Sequence, residues 1–184
     1  MTIALSRPTT DLFESWAAAV AEFEGGHVDG AGIEKGLVPD RAACEAFVEM
    51  AALFATPGAA LPEGRVPCDY FWITEGDEVV GFIAFRRELN EWLRRFGGHI
   101  GYSVIPSRRR EGIVREALRL MLRLAKAEGY ERVMLTCDDD NVGSIRTIEG
   151  AGGELEDVID APEPGLPRVR RYWIDISGTS LTAS

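Results

Sequence analysis

The run Ser107-Arg108-Arg109-Arg110-Glu111-Gly112-Ile113 carries the most concentrated chemistry in the sequence. It follows an apolar segment that stops before Pro106 and precedes a long amphipathic one, so it reads as a turn from a strand into a helix. Such a turn suits phosphate. The first N–H groups of a helix have no internal partner, and the helix dipole places roughly half a positive charge beside them. Gly112 has no Cβ to keep a diphosphate off the backbone, and the three arginines add charge. Alone, the arginines would read as a solvated basic run and Glu111 as a favourable acid in a first helical turn. The strand before and the helix after favour a cradle.

The elements that must position this turn are legible by period. Val114, Ala117, Leu118, Met121, Leu124 and Ala125 keep helical spacing until Gly129. Upstream, Tyr70 to Ile73 and Val79 to Phe85 are short β-rich runs separated by Glu75-Gly76-Asp77, which predicts an antiparallel hairpin. A polar connection with Asn90, Trp92 and Leu93 leads to a strand from His99 to Val104. Arg132 to Cys137 reads as a buried strand parallel to it, because a helical crossover joins the two. A short helix from Ser144 to Glu149, a strand to Ile159 and a last strand from Val169 to Ile176 follow. The first third predicts two helices, one with Leu12, Phe13, Trp16, Val20 and Phe23 on a single face, the other starting near Asp40 and burying Ala43, Phe47, Met50 and Phe54.

Composition bounds the function. At 184 residues with 46% hydrophobic and 27% charged side chains, the chain is expected to fold as one domain, 1–184, around one core. A net charge of -10 argues against nucleic acid, whose phosphates attract basic faces, and suits a cationic partner such as an amine. Cys44, Cys68 and Cys137 form no Cys-x-x-Cys pair and have only His27 and His99 to join them, so neither a disulfide framework nor a zinc site is expected. Asp138-Asp139-Asp140 reads as a solvated loop followed by Asn141 as a helix cap, not as a metal site. With no signal-like start and no membrane-length apolar stretch, a cytoplasmic location and no membrane partner are expected.

The order strand, Arg109-x-x-Gly112-x-Val114, amphipathic helix, strand, Asn141-x-x-Ser144 and short helix resembles the GNAT acetyltransferase superfamily, from about Tyr70 to the last strand. Glu88-Leu89-Asn90, the run from Gly97 to Val104, and Arg171-Tyr172-Trp173 resemble a poorly characterised branch of predicted acetyltransferases. The resemblance implies an α/β (mixed α+β) fold with a central mixed, largely antiparallel sheet, flanking helices, and parallel strands 4 and 5 splayed apart. It implies an acetyl-CoA core over about 69–176, with N-terminal helices over about 10–55 on the acceptor side. It places the coenzyme's pyrophosphate on Arg109 and the amides of Arg110, Glu111, Gly112, Ile113, Val114 and Arg115. It pairs the pantetheine arm with Val104 and Ile105, where a bulge would turn an N–H toward the thioester, and adds contacts from Asn141 and Ser144. The activity implied is transfer of an acetyl group to a primary amine by direct attack in a ternary complex. A noncatalytic acyl-CoA-binding or sensing module, and an interaction domain without the coenzyme site, are the other readings. A homodimer is compatible with all three.

Proton transfer is the least legible part. Where many GNAT enzymes carry an acidic Tyr, this sequence has Ile148, leaving Tyr102 and Cys137 as substitutes, although a cysteine at a strand end is more often a small buried hydrophobe. His99 is a candidate base by its ordinary pKa, and a structural histidine fixing the Gly97-Gly98 turn is the reading that the sequence favours over it. Glu88 and Glu91 precede that strand and read first as solvated carboxylates. The segment from Arg86 to Phe96 is expected to wall the acceptor cleft.

Overall fold

The structure, a computed structural model, describes residues 2–178. Seven strands form one sheet in the order β1-β2-β3-β4-β5-β7-β6, where β1 is Ile3–Ser6, β2 Cys68–Glu75, β3 Glu78–Arg86, β4 Ile100–Val104, β5 Arg132–Asp138, β6 Gly153–Ile159 and β7 Val169–Asp175. The helices are α1 (Phe13–Ala21), α2 (Arg41–Ala55), α3 (Ile113–Ala127) and α4 (Val142–Gly150). Every neighbouring strand pair is antiparallel except β4 with β5.

Helices cover both faces, which is why β2 and β3 read as nearly unbroken apolar runs instead of alternating ones. On one face α3 and α4 bury Leu118, Met121 and Ile148 against Ile83, Ile100, Leu135 and Tyr172. On the other, α1 and α2 close over Trp72 and Phe82. Trp16, Phe47 and Trp72 stack there with ring centroids 6.2 to 6.4 Å apart, a packing worth about 0.5–1.5 kcal/mol per pair beyond the area buried.

Two expectations shift. β1 lies in a stretch read as leading into helix; it hydrogen-bonds along β2 from Ile3↔Glu75 to Ser6↔Trp72 and forms one edge of the sheet. On α3 the buried stripe is Ile113, Ala117, Leu118, Met121, Leu122 and Ala125, so Val114 and Leu124 sit only partly covered at its margins. The α3 stripe runs down the sheet seam, and a helical wheel tolerates that rotation because its apolar arc is wider than one residue. No described helix is long and apolar enough to cross a membrane.

Trp72 is fully buried between the two N-terminal helices and the sheet. Trp72→Ala is expected to lower stability by about 3–5 kcal/mol, read as a reduced midpoint in urea unfolding.

Candidate functional site

β4 and β5 are parallel neighbours that pair only at Ile100↔Leu135. Beyond that point each is held by its other neighbour: β4 stays in register with β3 to Val104, and β5 with β7 to Asp138. The two strands therefore diverge toward their C-terminal ends and leave a gap. The Ile105 N–H donates to the Val80 carbonyl at 3.0 Å, which fixes the phase of β4. Residues 101, 103 and 105 bond toward β3, and the backbone groups of Tyr102 and Val104 point into the gap.

The register of β4 on β3 runs without a shift, so the bulge expected at Val104–Ile105 does not form. The strands diverge as the resemblance implies, and they do so without the bulge expected to turn an N–H inward. Ile105 has no group left to offer it: its N–H and carbonyl bond Val80 and Arg108, and its side chain is buried in the α1–α2 core. Val104 keeps its place on the gap.

His99 closes the narrow end. Its N–H donates to the Met134 carbonyl at 2.7 Å, and its Nδ1 accepts from the Met134 N–H at 2.9 Å. Burial, aided by Arg94 and Arg86, drops its pKa to about 4, so the ring is neutral with its accepting nitrogen occupied. It stands five residues from Val104, about 16 Å along an extended strand, which puts it at the wrong end of the gap for a base. What it fixes is β4 to β5; Arg86 holds the Gly97-Gly98 turn through both carbonyls, at 2.9 and 3.2 Å.

At the open end, the Tyr102 hydroxyl on β4 meets Ser144 Oγ on α4 at 2.8 Å. Burial pushes the Tyr102 phenol well above its ordinary 10, against the pull of the Ser144 contact. Cys137, partly buried beside Ser144, is lifted to about 11, again mainly by burial. Both groups keep their protons at neutral pH. Asn141 is the cap of α4, its Oδ1 accepting from the Ser144 N–H at 3.1 Å, so the same residue that starts the helix sets the position of the serine.

The start of α3 is different. Asp40 and Asn141 cap α2 and α4, but Gly112 gives α3 no side-chain cap. None of the amides from Arg110 to Arg115 donates to another group among the described residues. Arg110 and Gly112 both hold left-handed backbone, at φ 70° and 80°; for Arg110 this costs about 1–2 kcal/mol. A Cβ built on Gly112 meets nothing nearer than Arg115 Nη2 at 3.8 Å, so the space in front of the turn is open. Arg109, Arg110 and Arg115 are exposed around it. The side chain of Ile113 belongs to the core, leaving only its amide to the turn, and Val114 is half-buried.

Arg108 does other work. It bridges Glu75 on β2 and Glu111, at 2.7 and 2.8 Å, with Glu78 at 3.5 Å. The Glu111 carboxylate is thereby paired with a guanidinium beside the open amides, which offsets its charge there. Glu22, at the end of α1, accepts from Ser107 N at 2.9 Å and Ser107 Oγ at 2.8 Å. Asp139 pairs with Arg168 and Arg170, at 2.8 and 2.6 Å, so the three consecutive aspartates do not converge. Glu88 and Glu91 are exposed. The connection they begin packs on β5 and β7, where Thr136 Oγ1 donates to the Phe96 carbonyl at 2.9 Å and Arg171 to that of Arg94 at 3.0 Å.

The sequence profile of the Acetyltransferase (GNAT) family matches residues 41–152, more than half of the chain. The chain belongs to the GNAT acetyltransferase family. Solved structures share the fold. The Microcin C7 self immunity acetyltransferase MccE, in complex with acetyl-CoA and AMP, is 17% identical over 94% of this chain and 92% of that one, with a TM-score of 0.69. The ribosomal L7/L12 alpha-N-protein acetyltransferase RimL, in complex with coenzyme A, is 17% identical over 96% of both chains, with a TM-score of 0.73. A GNAT-family acetyltransferase from Bacillus anthracis is 18% identical over 97% of both, with a TM-score of 0.66. Among curated proteins none matches the sequence.

In this GNAT chain Ile148 is fully buried in the α3 core, so its position on α4 offers no hydroxyl; the Tyr102–Ser144 pair brings two to the gap, one from β4 and one from the first turn of α4. Sequence reasoning had both residues but not the pair, since they lie 42 positions apart. The Glu22–Ser107 and Arg108–Glu75 contacts, over 85 and 33 positions, carry no local signal at all.

His99 gives a pH test. Its folded pKa lies below its ordinary 6.5, so between pH 6.5 and about 4 the unfolded chain takes up a proton that the folded chain refuses. Stability is therefore expected to fall by about 1–3 kcal/mol across that window. Urea unfolding at a series of pH values should show this slope in the native protein and its loss in His99→Gln.

Proposed function

We propose that the chain transfers the acetyl group of acetyl-CoA to a primary amine, which attacks the thioester directly while both substrates are bound. The observation that carries this reading is the uncapped start of α3 beside the gap: six consecutive amides, from Arg110 to Arg115, without a partner among the described residues. Helix-start donors with no protein partner are satisfied by water or by an anion, and the dipole favours the anion.

Bound acetyl-CoA supplies an activated acetyl thioester. The amides from Arg110 to Arg115 donate to its diphosphate, and Arg109, Arg110 and Arg115 balance the charge. Tyr102 and Val104 offer the pantetheine arm the backbone groups of a strand edge, as a missing β-strand would be received. A backbone N–H on that edge is also the donor available to the carbonyl oxygen as negative charge develops there. When the amine attacks and the C–S bond breaks, Tyr102 and Ser144 hold a proton within one hydrogen bond of each other for the departing thiolate.

Calorimetric titration with acetyl-CoA tests the cradle. Native protein is expected to bind, and Gly112→Glu to bind at least about tenfold more weakly, a loss of about 1.4 kcal/mol. The added Cβ meets no clash, but the left-handed backbone at φ 80° costs a non-glycine residue about 1–2 kcal/mol. Gly112→Ala, which carries the same strain without the charge, is therefore the control and is expected to bind near native. Equal affinity in the native and Gly112→Glu proteins would refute the cradle. Thiol release that depends on an added amine separates an enzyme from a noncatalytic acyl-CoA-binding module. Tyr102→Phe combined with Ser144→Ala is expected to lower kcat roughly 10²-fold, read at saturating acetyl-CoA because Ser144 is also an expected coenzyme contact; an unchanged kcat would remove the pair from the mechanism.

A further inference from the structure

Among the described residues six arginines are half-buried, and five of them, Arg87, Arg108, Arg119, Arg170 and Arg171, pair with carboxylates. Arg86, at the end of β3 on the sheet face that α2 covers, pairs with none of them. A guanidinium drawn partly out of water costs free energy unless an anion answers it. Only its Nη1 is used, donating to the Gly97 and Gly98 carbonyls at 2.9 and 3.2 Å. Nε and Nη2 donate to nothing among the described residues, and neither is sealed from solvent.

The free side of this guanidinium lies at the gap. Arg86 crosses β4 over Gly101, whose missing side chain makes room for it: a Cβ there would stand 3.2 Å from Arg86 Nη2 and 3.4 Å from Nη1. The nitrogen of Gly30 would stand 3.2 Å from the same Cβ. Gly30 is the third residue of the turn from Val28 to Ala31, at φ 76°, a position whose N–H the turn itself does not use. That N–H has no other partner among the described residues. A guanidinium edge and a free amide thus flank one small space on the α1–α2 face of β4. The next N–H along the strand is that of Tyr102, about 3 Å from the Gly101 Cβ position by covalent geometry, and it points into the gap.

We propose that Arg86 Nη2 and the Gly30 N–H bind a carboxylate on the acceptor, and that the acceptor is a free α-amino acid. This rests on the acetyl-transfer reading. Two donors around one space suit the two oxygens of a carboxylate, and a bond between ionised partners is roughly twice as strong as a neutral one. In an α-amino acid the amine stands about 3 Å from those oxygens. A carboxylate held at Gly101 therefore delivers the amine to the level of the Tyr102 N–H, one of the two donors that the gap edge offers the thioester carbonyl. A peptide presents a neutral carbonyl in place of the carboxylate and leaves Arg86 unanswered. The two faces of β4 divide the work: Tyr102 and Ser144 hold their hydroxyls on the α3–α4 side, and the acceptor is held on the other.

The test measures thiol release from acetyl-CoA with the common α-amino acids, each paired with its carboxamide, and with a peptide and a simple alkyl amine. Native protein is expected to favour the free carboxylate at least about tenfold in kcat/KM. Arg86→Gln should bring that ratio close to one, chiefly through the KM of the amino acid, and Arg86→Lys should restore part of it. A role confined to the Gly97-Gly98 turn would lower both acceptors alike and keep the native ratio. Gly101→Ala, whose Cβ presses on the same guanidinium and amide, should lower the ratio without removing the charge, and it decides the matter if Arg86→Gln does not fold. Equal use of carboxylate and carboxamide by native protein, turnover of only the peptide or the alkyl amine, or a native ratio in the variants would overturn the assignment and leave the acetyl-transfer reading standing. Acetyl-CoA binding without thiol release from any amine would contradict the acetyl-transfer reading and the assignment together.

Discussion

Two parallel strands, hydrogen-bonded to each other at one residue pair and to antiparallel partners everywhere else, determine the rest of this molecule. Backbone donors and acceptors in a sheet interior normally satisfy one another. Here β4 and β5 part after Ile100↔Leu135, so the inner edges of both strands are left facing a space that no element of the described fold fills. A seven-stranded sheet with helices on both faces supplies enough buried apolar surface to carry that local deficit. The His99–Met134 bonds stop the divergence from running into the core.

The open start of α3 is built beside that space by means that do not themselves bind. Arg108, with three carboxylates around it, ties the turn to the β2–β3 hairpin; Glu22 ties it to α1. These contacts hold Arg110 in a left-handed conformation that an isolated chain would avoid. The division of labour among neighbouring arginines is therefore sharp: one is spent on position, the next two remain at the surface.

Much of this was legible in the sequence. The amphipathic period of α3, the hairpin with its Gly76-Asp77 turn and the strand-helix-strand order gave the sheet its centre, because each rests on local spacing. The Gly112 turn was legible for the same reason. What local spacing cannot carry was not read. β1 is four residues without alternation or turn signals, and only its pairing with β2 makes it a strand. The splay of β4 from β5 was implied by the family resemblance; what local spacing does not carry is that competing antiparallel partners, β3 and β7, produce it without a bulge. The Tyr102–Ser144 pair and the contacts of Arg108 and Glu22 join residues tens of positions apart.

The central claim is that the amides entering α3 and the inner edge of β4 form one continuous binding surface. Backbone amide NMR during titration with acetyl-CoA tests it most directly. The account predicts the largest shifts at Arg110 to Arg115 together with Tyr102 and Val104, saturating along one binding curve. Binding that moved other amides and left these in place, or no binding at all, would contradict it.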